Sequence, residues 1–244
     1  MMLRPLLLAL GLLTTLPVPG VVDPKEREIG LSVLLYPLVG VIVGFFVWGL
    51  AMVTVSWPEN MRGVFILFLW LALTGGLHLE GLGDLADAWV GGMGRPGRML
   101  EIMKDPRCGP AAVMAITMQL LFKWVAIQAL VQQRHEFLLF FAPVVGRTVL
   151  LPLMLSTPYL RKEGMATVAI AAVPKTTAWM VVALVGTSLT VKIPLAVGAT
   201  VVCLVWFRWL MLRHLGGVTG DVLGAGCELS ETIFLLAALL LPNL

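Results

Sequence analysis

Six apolar runs constrain this chain more than any other feature. Residues 30–56, 63–79 and 178–191 contain no Asp, Glu, Lys or Arg, while 111–131 contain only Lys123, 137–157 only Arg147 and 194–212 only Arg208. A helix needs about 20 such residues to cross a hydrocarbon core about 30 Å thick. There it satisfies its backbone N–H and C=O groups internally. The runs predict an all-α, polytopic integral membrane helical bundle of about six or seven transmembrane helices, forming one membrane-embedded domain over residues 1–244. Composition agrees: hydrophobic residues make up 59% and charged residues 13%, against about 45–50% and about 25% in a soluble domain.

Other classes are excluded early. The net charge is only +3, and no basic, aromatic-interleaved patch suggests nucleic acid. Cys108, Cys203 and Cys227 form no C-x-x-C, so neither a disulfide framework nor a zinc knuckle is indicated. Residues 3–16 predict a short helix, interfacial or re-entrant, stopped by Pro17 and Pro19. It resembles a signal peptide but lacks an A-x-A-type cleavage site, so it is read as retained. Residues 91–97, rich in glycine and proline, predict a loop, 98–105 a short amphipathic helix, and 159–177 a polar loop. The last apolar run, 232–241, is long enough to span only if the residues before Glu231 are helical too.

The acidic stretch from His78 to Gly109 interrupts this pattern, with Glu80, Asp84, Asp87, Glu101 and Asp105 among the chain's 14 carboxylates. Glu80, Asp84 and Asp87 stand at i, i+4 and i+7, one face of a helix. Like charges at that spacing repel. On a soluble helix such a face is ordinarily a solvated one. Emerging from an apolar span, where unpaired carboxylates are costly, it points to a function. Hard carboxylate oxygens suit magnesium or manganese. A second stretch, 214–231, repeats the pattern: Asp221 and Glu228 are i and i+7, interleaved with Gly216, Gly217, Gly220, Gly224 and Gly226. Glycines alone would indicate close helix packing; with carboxylates among them, close approach of a ligand to the backbone is an equal expectation.

The distribution of positive charge assigns a side. Alternating the spans places Arg4, Lys25, Arg27, Arg95, Arg98, Lys104, Arg107, Arg161, Lys162, Lys175, Arg208 and Arg213 with the acidic stretch, and only Arg62, Arg134 and Lys192 opposite. Positive loops are cytoplasmic, so the polar stretches converge on the cytoplasmic face. Singly, each basic residue there reads equally well as an anchor to anionic lipid. For a phosphate-bearing substrate, Arg107 and Arg161 are the strongest candidates. Arg147 lies within a span and is expected to pair with a carboxylate; Lys123 is similarly placed with no evident partner. A zinc reading of His78 with Glu80 is weak, because H-x-E lacks the second histidine of H-E-x-x-H.

Taken together, these residues are similar to a known family. TGGLHLEGLGDLADAW (74–89), R-x-L-E-I-M-K-D-x-R-x-G ending at Gly109, LTTLPVP (13–19), YPLVGVIVG (36–44), Arg147, Tyr159 with Arg161 and Gly164, and GGVTGDVLGAGCEL (216–229) resemble the cobalamin synthases, or adenosylcobinamide-GDP ribazoletransferases, in order along nearly the whole chain. Departures are Glu80 where Asp is usual, Ala88 for a usual glycine, and Lys104 and Pro106 where Arg and Ser are common. The resemblance implies an inner-membrane enzyme of the last step of cobalamin nucleotide-loop assembly. Adenosylcobinamide-GDP and α-ribazole or its 5′-phosphate would give adenosylcobalamin or its 5′-phosphate and GMP. It also implies a divalent metal, usually magnesium.

On this reading Glu80, Asp84, Asp87 and Asp221 hold metal, and Asp84, Asp87 and Asp221 are catalytic. His78, Arg98, Asp105, Arg107, Arg147, Arg161, Gly220 and Glu228 bind substrate. Substitution at phosphorus is catalysed by positioning and charge neutralisation, which carboxylate-held metals supply. The lipid bilayer is a partner; other cobalamin-assembly enzymes and a homo-oligomer are left open. The competing class is a membrane transporter with intramembrane carboxylates, which would place them near mid-membrane in two corresponding halves. The sequence shows no convincing repeat beyond the Gly-Asp pairs at 83–84 and 220–221.

Overall fold

The structure is a computed structural model that describes residues 2–92 and 94–240. Met93, in the expected loop, and Leu241, at the end of the last apolar run, lie outside the described residues. The chain opens with α1 (Leu3–Leu13), α2 (Glu26–Val33), α3 (Tyr36–Val53) and α4 (Glu59–Thr74). α5 (Leu77–Gly92), α6 (Pro96–Ile102), α7 (Pro110–Gln132) and α8 (Leu138–Ser156) form its middle. α9 (Met165–Ala172), α10 (Lys175–Thr190), α11 (Pro194–His214) and α12 (Gly220–Ala238) complete it.

α3, α7, α8 and α11 are each long and apolar enough to cross a membrane, and the bent pairs α4–α5 and α9–α10 bring the number to six if each is one span. The upper expectation of seven is not reached on that measure. α12 has 19 residues, about 28 Å at 1.5 Å per residue, but carries Asp221, Glu228 and Glu231. Phe45, Phe68, Met114, Leu184, Val202 and Trp206 are exposed on α3, α4, α7, α10 and α11, the kind of apolar surface a bilayer covers. α8 sits inside, with 78% of its apolar window buried against 22% for α11. Gly40 lets α3 lie directly on α8: a Cβ there would stand 2.5 Å from the Pro143 carbonyl oxygen, the small-residue contact usual between membrane helices.

Several boundaries differ from expectation, among them α6, which runs Pro96–Ile102 where a loop over 91–97 and a helix over 98–105 are expected. α1 stops at Leu13 rather than residue 16, because Thr14 turns extended and Thr15 bonds to the end of α4, its N–H to Leu73 O at 2.9 Å and its hydroxyl to Ala72 O. The run 30–56 is broken between α2 and α3, where Pro37 lacks the N–H that would continue the ladder. Gly91 and Gly92 remain helical, and their missing side chains let α6 fold back on α5: a Cβ on Gly91 would lie 2.8 Å from Ile102. The expected loop 159–177 contains α9, which ends at Ala172; Val173, preceding Pro174, is extended, as that position favours.

Candidate active site

Two consecutive left-handed glycines create the site's first element. Gly75 (φ 62°) and Gly76 (φ 73°) turn the chain so that α5 leaves α4 at 88°. The glycine-rich start of α12 then receives α5. A Cβ on Gly81 would lie 2.7 Å from the Asp221 carbonyl oxygen, and one on Gly224 would lie 3.2 Å from His78 Cα. Most of the glycines expected to admit a ligand therefore serve packing; Gly226 likewise abuts Leu153 at 2.8 Å. Gly216 and Gly220 are the exceptions: a Cβ on Gly216 would meet nothing within 4 Å, and one on Gly220 would meet only Tyr159 Oη at 4.0 Å.

The loop after α8 supplies the cation. Tyr159 and Val218 form a single parallel bridge: Leu160 N donates to Val218 O at 2.9 Å, and Val218 N donates to Pro158 O at 2.8 Å. Thr219 caps α12, its hydroxyl accepting from Val222 N at 3.3 Å. This stitching sets Arg161 Nη2 at 2.7 Å from Asp221 Oδ2. Burial raises the Tyr159 phenol above its ordinary range.

Glu80, Asp84, Asp105 and Asp221 line one cleft of ≈ 500 Å³ together with Lys104 and Arg161. The expected meeting of the two acidic helices thus occurs. Glu80, Asp84 and Asp221 outnumber the cations that line the cleft, and a divalent ion would offset that negative charge. Among the described residues no three His, Cys, Asp or Glu side chains close into a ready-made metal cage. Magnesium suits such a site, since it keeps several waters and shares substrate phosphate oxygens rather than demanding an all-protein shell. A neighbouring cavity of ≈ 470 Å³ shares Lys104 and Arg161 and adds Lys162 and Glu163, a lobe with net positive charge beside the anionic one.

Several expected site residues have other tasks in the structure. Asp87 accepts from Gly109 N at 2.6 Å and Ala112 N at 2.9 Å; it caps α7, and both oxygens are engaged by backbone rather than turned to the cleft. Arg107 is exposed and holds Asp105 through Nε–Oδ1 at 2.8 Å and Nη2–Oδ2 at 2.5 Å. Those hydrogen bonds lower the Asp105 carboxyl to about 2. Arg98 pairs with Glu101 at 3.2 Å on the exposed face of α6, away from the cleft.

Arg147 and Glu228, expected to touch substrate, are instead buried behind the cleft. Lys123 Nζ donates to Glu228 Oε2 and Glu231 Oε2, each at 2.6 Å, and Arg147 pairs with Glu231. Gln119 Nε2 donates to Glu228 O at 2.8 Å and to Thr232 Oγ1 at 2.7 Å. Lys123 therefore has two partners, and Arg147 takes Glu231 rather than a carboxylate of the cleft. Counting intramembrane charge would have found this set: two cations in α7 and α8 require two carboxylates, and Glu228 and Glu231 share a face of α12. His78 is buried as well.

Residues 5–239 match the family model described as cobalamin-5-phosphate synthase. The chain is 44% identical over 230 residues to the adenosylcobinamide-GDP ribazoletransferase of Stutzerimonas stutzeri strain A1501, covering 93% of this chain and 94% of that protein. It is 42% identical over 245 residues to the protein of that name from Pseudomonas fluorescens strain Pf-5 (97% and 99% covered) and 36% identical over 241 residues to that from Acinetobacter baumannii strain ATCC 17978 (96% of both). No solved structure matches the chain.

Proposed function

This chain belongs to the cobalamin-5-phosphate synthase family, and from that premise we propose that it catalyses the adenosylcobinamide-GDP ribazoletransferase reaction in the cleft between α5 and α12. The observation that supports this most is the meeting of Glu80, Asp84, Asp221 and Arg161, drawn from three separate segments, in one cleft beside a cationic lobe. The ribose 3′-hydroxyl of α-ribazole or α-ribazole 5′-phosphate attacks the phosphorus on the cobinamide side of the diphosphate. The new O–P bond forms, the bond from that phosphorus to the bridging oxygen breaks, and GMP departs with the electron pair.

Glu80, Asp84 and Asp221 would hold magnesium, with manganese as the alternative, and the ion would neutralise charge on the diphosphate oxygens. Lys104, Arg161 and Lys162 bind the nucleotide's phosphates, and Arg161 also fixes Asp221. We assign Asp84, half-buried and without a protein hydrogen-bond donor among the described residues, as acceptor of the hydroxyl proton. The excess of Arg and Lys on the loops that meet here supports a cytoplasmic-facing site in the inner membrane. The transporter reading finds no support in the relatives.

Purified protein in lipid nanodiscs should release GMP from adenosylcobinamide-GDP only when α-ribazole and magnesium are both present. Asp84→Asn should lower turnover roughly 10²–10⁴-fold while leaving thermal unfolding unchanged. Wild-type protein that releases no GMP under these conditions would refute the reading.

A further inference from the structure

A second chamber, of ≈ 290 Å³, adjoins the cleft and shares Glu80 and Asp221 with it. Apart from those two carboxylates its wall is largely carbon: Leu13 from α1, Tyr36 from α3, Leu150 and Met154 from α8, and Leu223 from α12. No lysine or arginine lines it. His78 does, and it is only 4% exposed. Its Nδ1 has no hydrogen-bond partner among the described residues. Leaving a buried polar atom unpaired costs about 1–3 kcal/mol, so the imidazole gains by turning a nitrogen to a ligand in the chamber.

We propose that this chamber binds the aromatic base of the ribazole acceptor, with the His78 imidazole donating to the ring nitrogen that is not bonded to ribose. The inference rests on the transferase reading and assigns the acceptor its subsite. Matching the substrates' fragments to the chamber leaves one occupant. Phosphates would meet Glu80 and Asp221 with no cation in the wall. A guanine edge would occupy Glu80 or Asp221, which the reaction needs at the phosphates, and its acceptor atoms would find no cation in the wall; unmatched polar groups are costly to bury. The corrin macrocycle is too large, since ≈ 290 Å³ lies at the lower edge of ligand pockets, about 300–1,000 Å³. A fused bicyclic base has two apolar faces, one free ring nitrogen and a size that fits. With the base seated there, its ribose emerges at Glu80 and Asp221, where the attacking hydroxyl is needed. His78 is on this account a positioning residue, not a catalytic one.

The test compares the two substrates on the whole enzyme in nanodiscs. Ala166, partly exposed on α9, also lines the chamber. Ala166→Phe should raise KM for α-ribazole about tenfold or more while KM for adenosylcobinamide-GDP stays within about twofold. His78→Phe, which keeps a ring but removes its N–H, should raise KM for α-ribazole roughly 3–10-fold, the worth of one hydrogen bond. As a control for added bulk, Gly186→Val in the separate apolar cavity among α8, α10 and α11 should change neither KM. Free benzimidazole, tested on the unsubstituted enzyme, should compete with α-ribazole and not with adenosylcobinamide-GDP. That arm decides the matter if Ala166→Phe does not fold. Benzimidazole that fails to compete with α-ribazole, or a folded Ala166→Phe that shifts both KM values alike or neither, would overturn the assignment and leave the chamber to a lipid chain. The transferase reading survives either outcome as long as unsubstituted enzyme releases GMP.

Discussion

Replacing Lys123 by Met tests the buried charge network most directly. Methionine keeps an unbranched chain of similar length and removes only the ammonium. In the structure that ammonium lies 2.6 Å from each of two carboxylates, Glu228 and Glu231, with all three side chains at most 3% exposed, and 4.6 Å above the Trp70 ring. Removing it leaves two buried carboxylates facing the single guanidinium of Arg147. Breaking a buried ion pair costs about 3–5 kcal/mol, and a desolvated cation–π contact adds about 0.5–2 kcal/mol. For a chain of this size each kcal/mol shifts the unfolding midpoint by about 2–4 °C. A loss of about 3.5–7 kcal/mol therefore predicts a drop of roughly 7–28 °C.

Intrinsic tryptophan fluorescence during heating of the purified protein, in one detergent throughout, reads this directly. The second arm is Lys123→Met with Glu228→Gln, which restores one cation to one carboxylate and lets position 228 keep its amide contact with Gln119. Neutral replacements of buried pairs are often close to neutral in stability, so the double variant should recover most of the loss. A single variant within about 1 kcal/mol of the parent, or a double variant that loses the sum of its two parts, would refute the reasoning.

Two further outcomes follow from the geometry. Asp87→Ala removes the cap of α7 and should cost about 0.5–2 kcal/mol, with faster hydrogen exchange at the Gly109 and Ala112 amides; unchanged exchange there would remove the capping role. Gly94→Cys, on the exposed turn between α5 and α6, should react with an impermeant maleimide only after cells are opened; labelling from outside intact cells would reverse the assigned orientation.

The helices themselves were legible because their causes are local. A run such as 111–131 or 137–157 becomes helix because hydrocarbon offers its backbone no outside partner, and α7 and α8 match those runs to within a residue or so. The i, i+4, i+7 spacing of Glu80, Asp84 and Asp87 likewise needed only helical geometry. The resemblance to the cobalamin synthases was carried by contiguous motifs. What only the tertiary structure decided is which groups spend their charge on one another. Asp84 and Asp87 look alike in sequence, yet one lines a cleft and the other caps a helix, because the α7 terminus arrives beside Asp87. Arg147 and Lys123 each required a carboxylate, but the choice of Glu228 and Glu231 depended on the rotation of α12 against α7 and α8. Glycines posed the same problem: a missing Cβ admits a ligand or a helix equally well, and only the neighbour that fills the space decides between them. At Gly81 and Gly224 the neighbour is the other acidic helix, and its closeness brings Asp221 to Glu80.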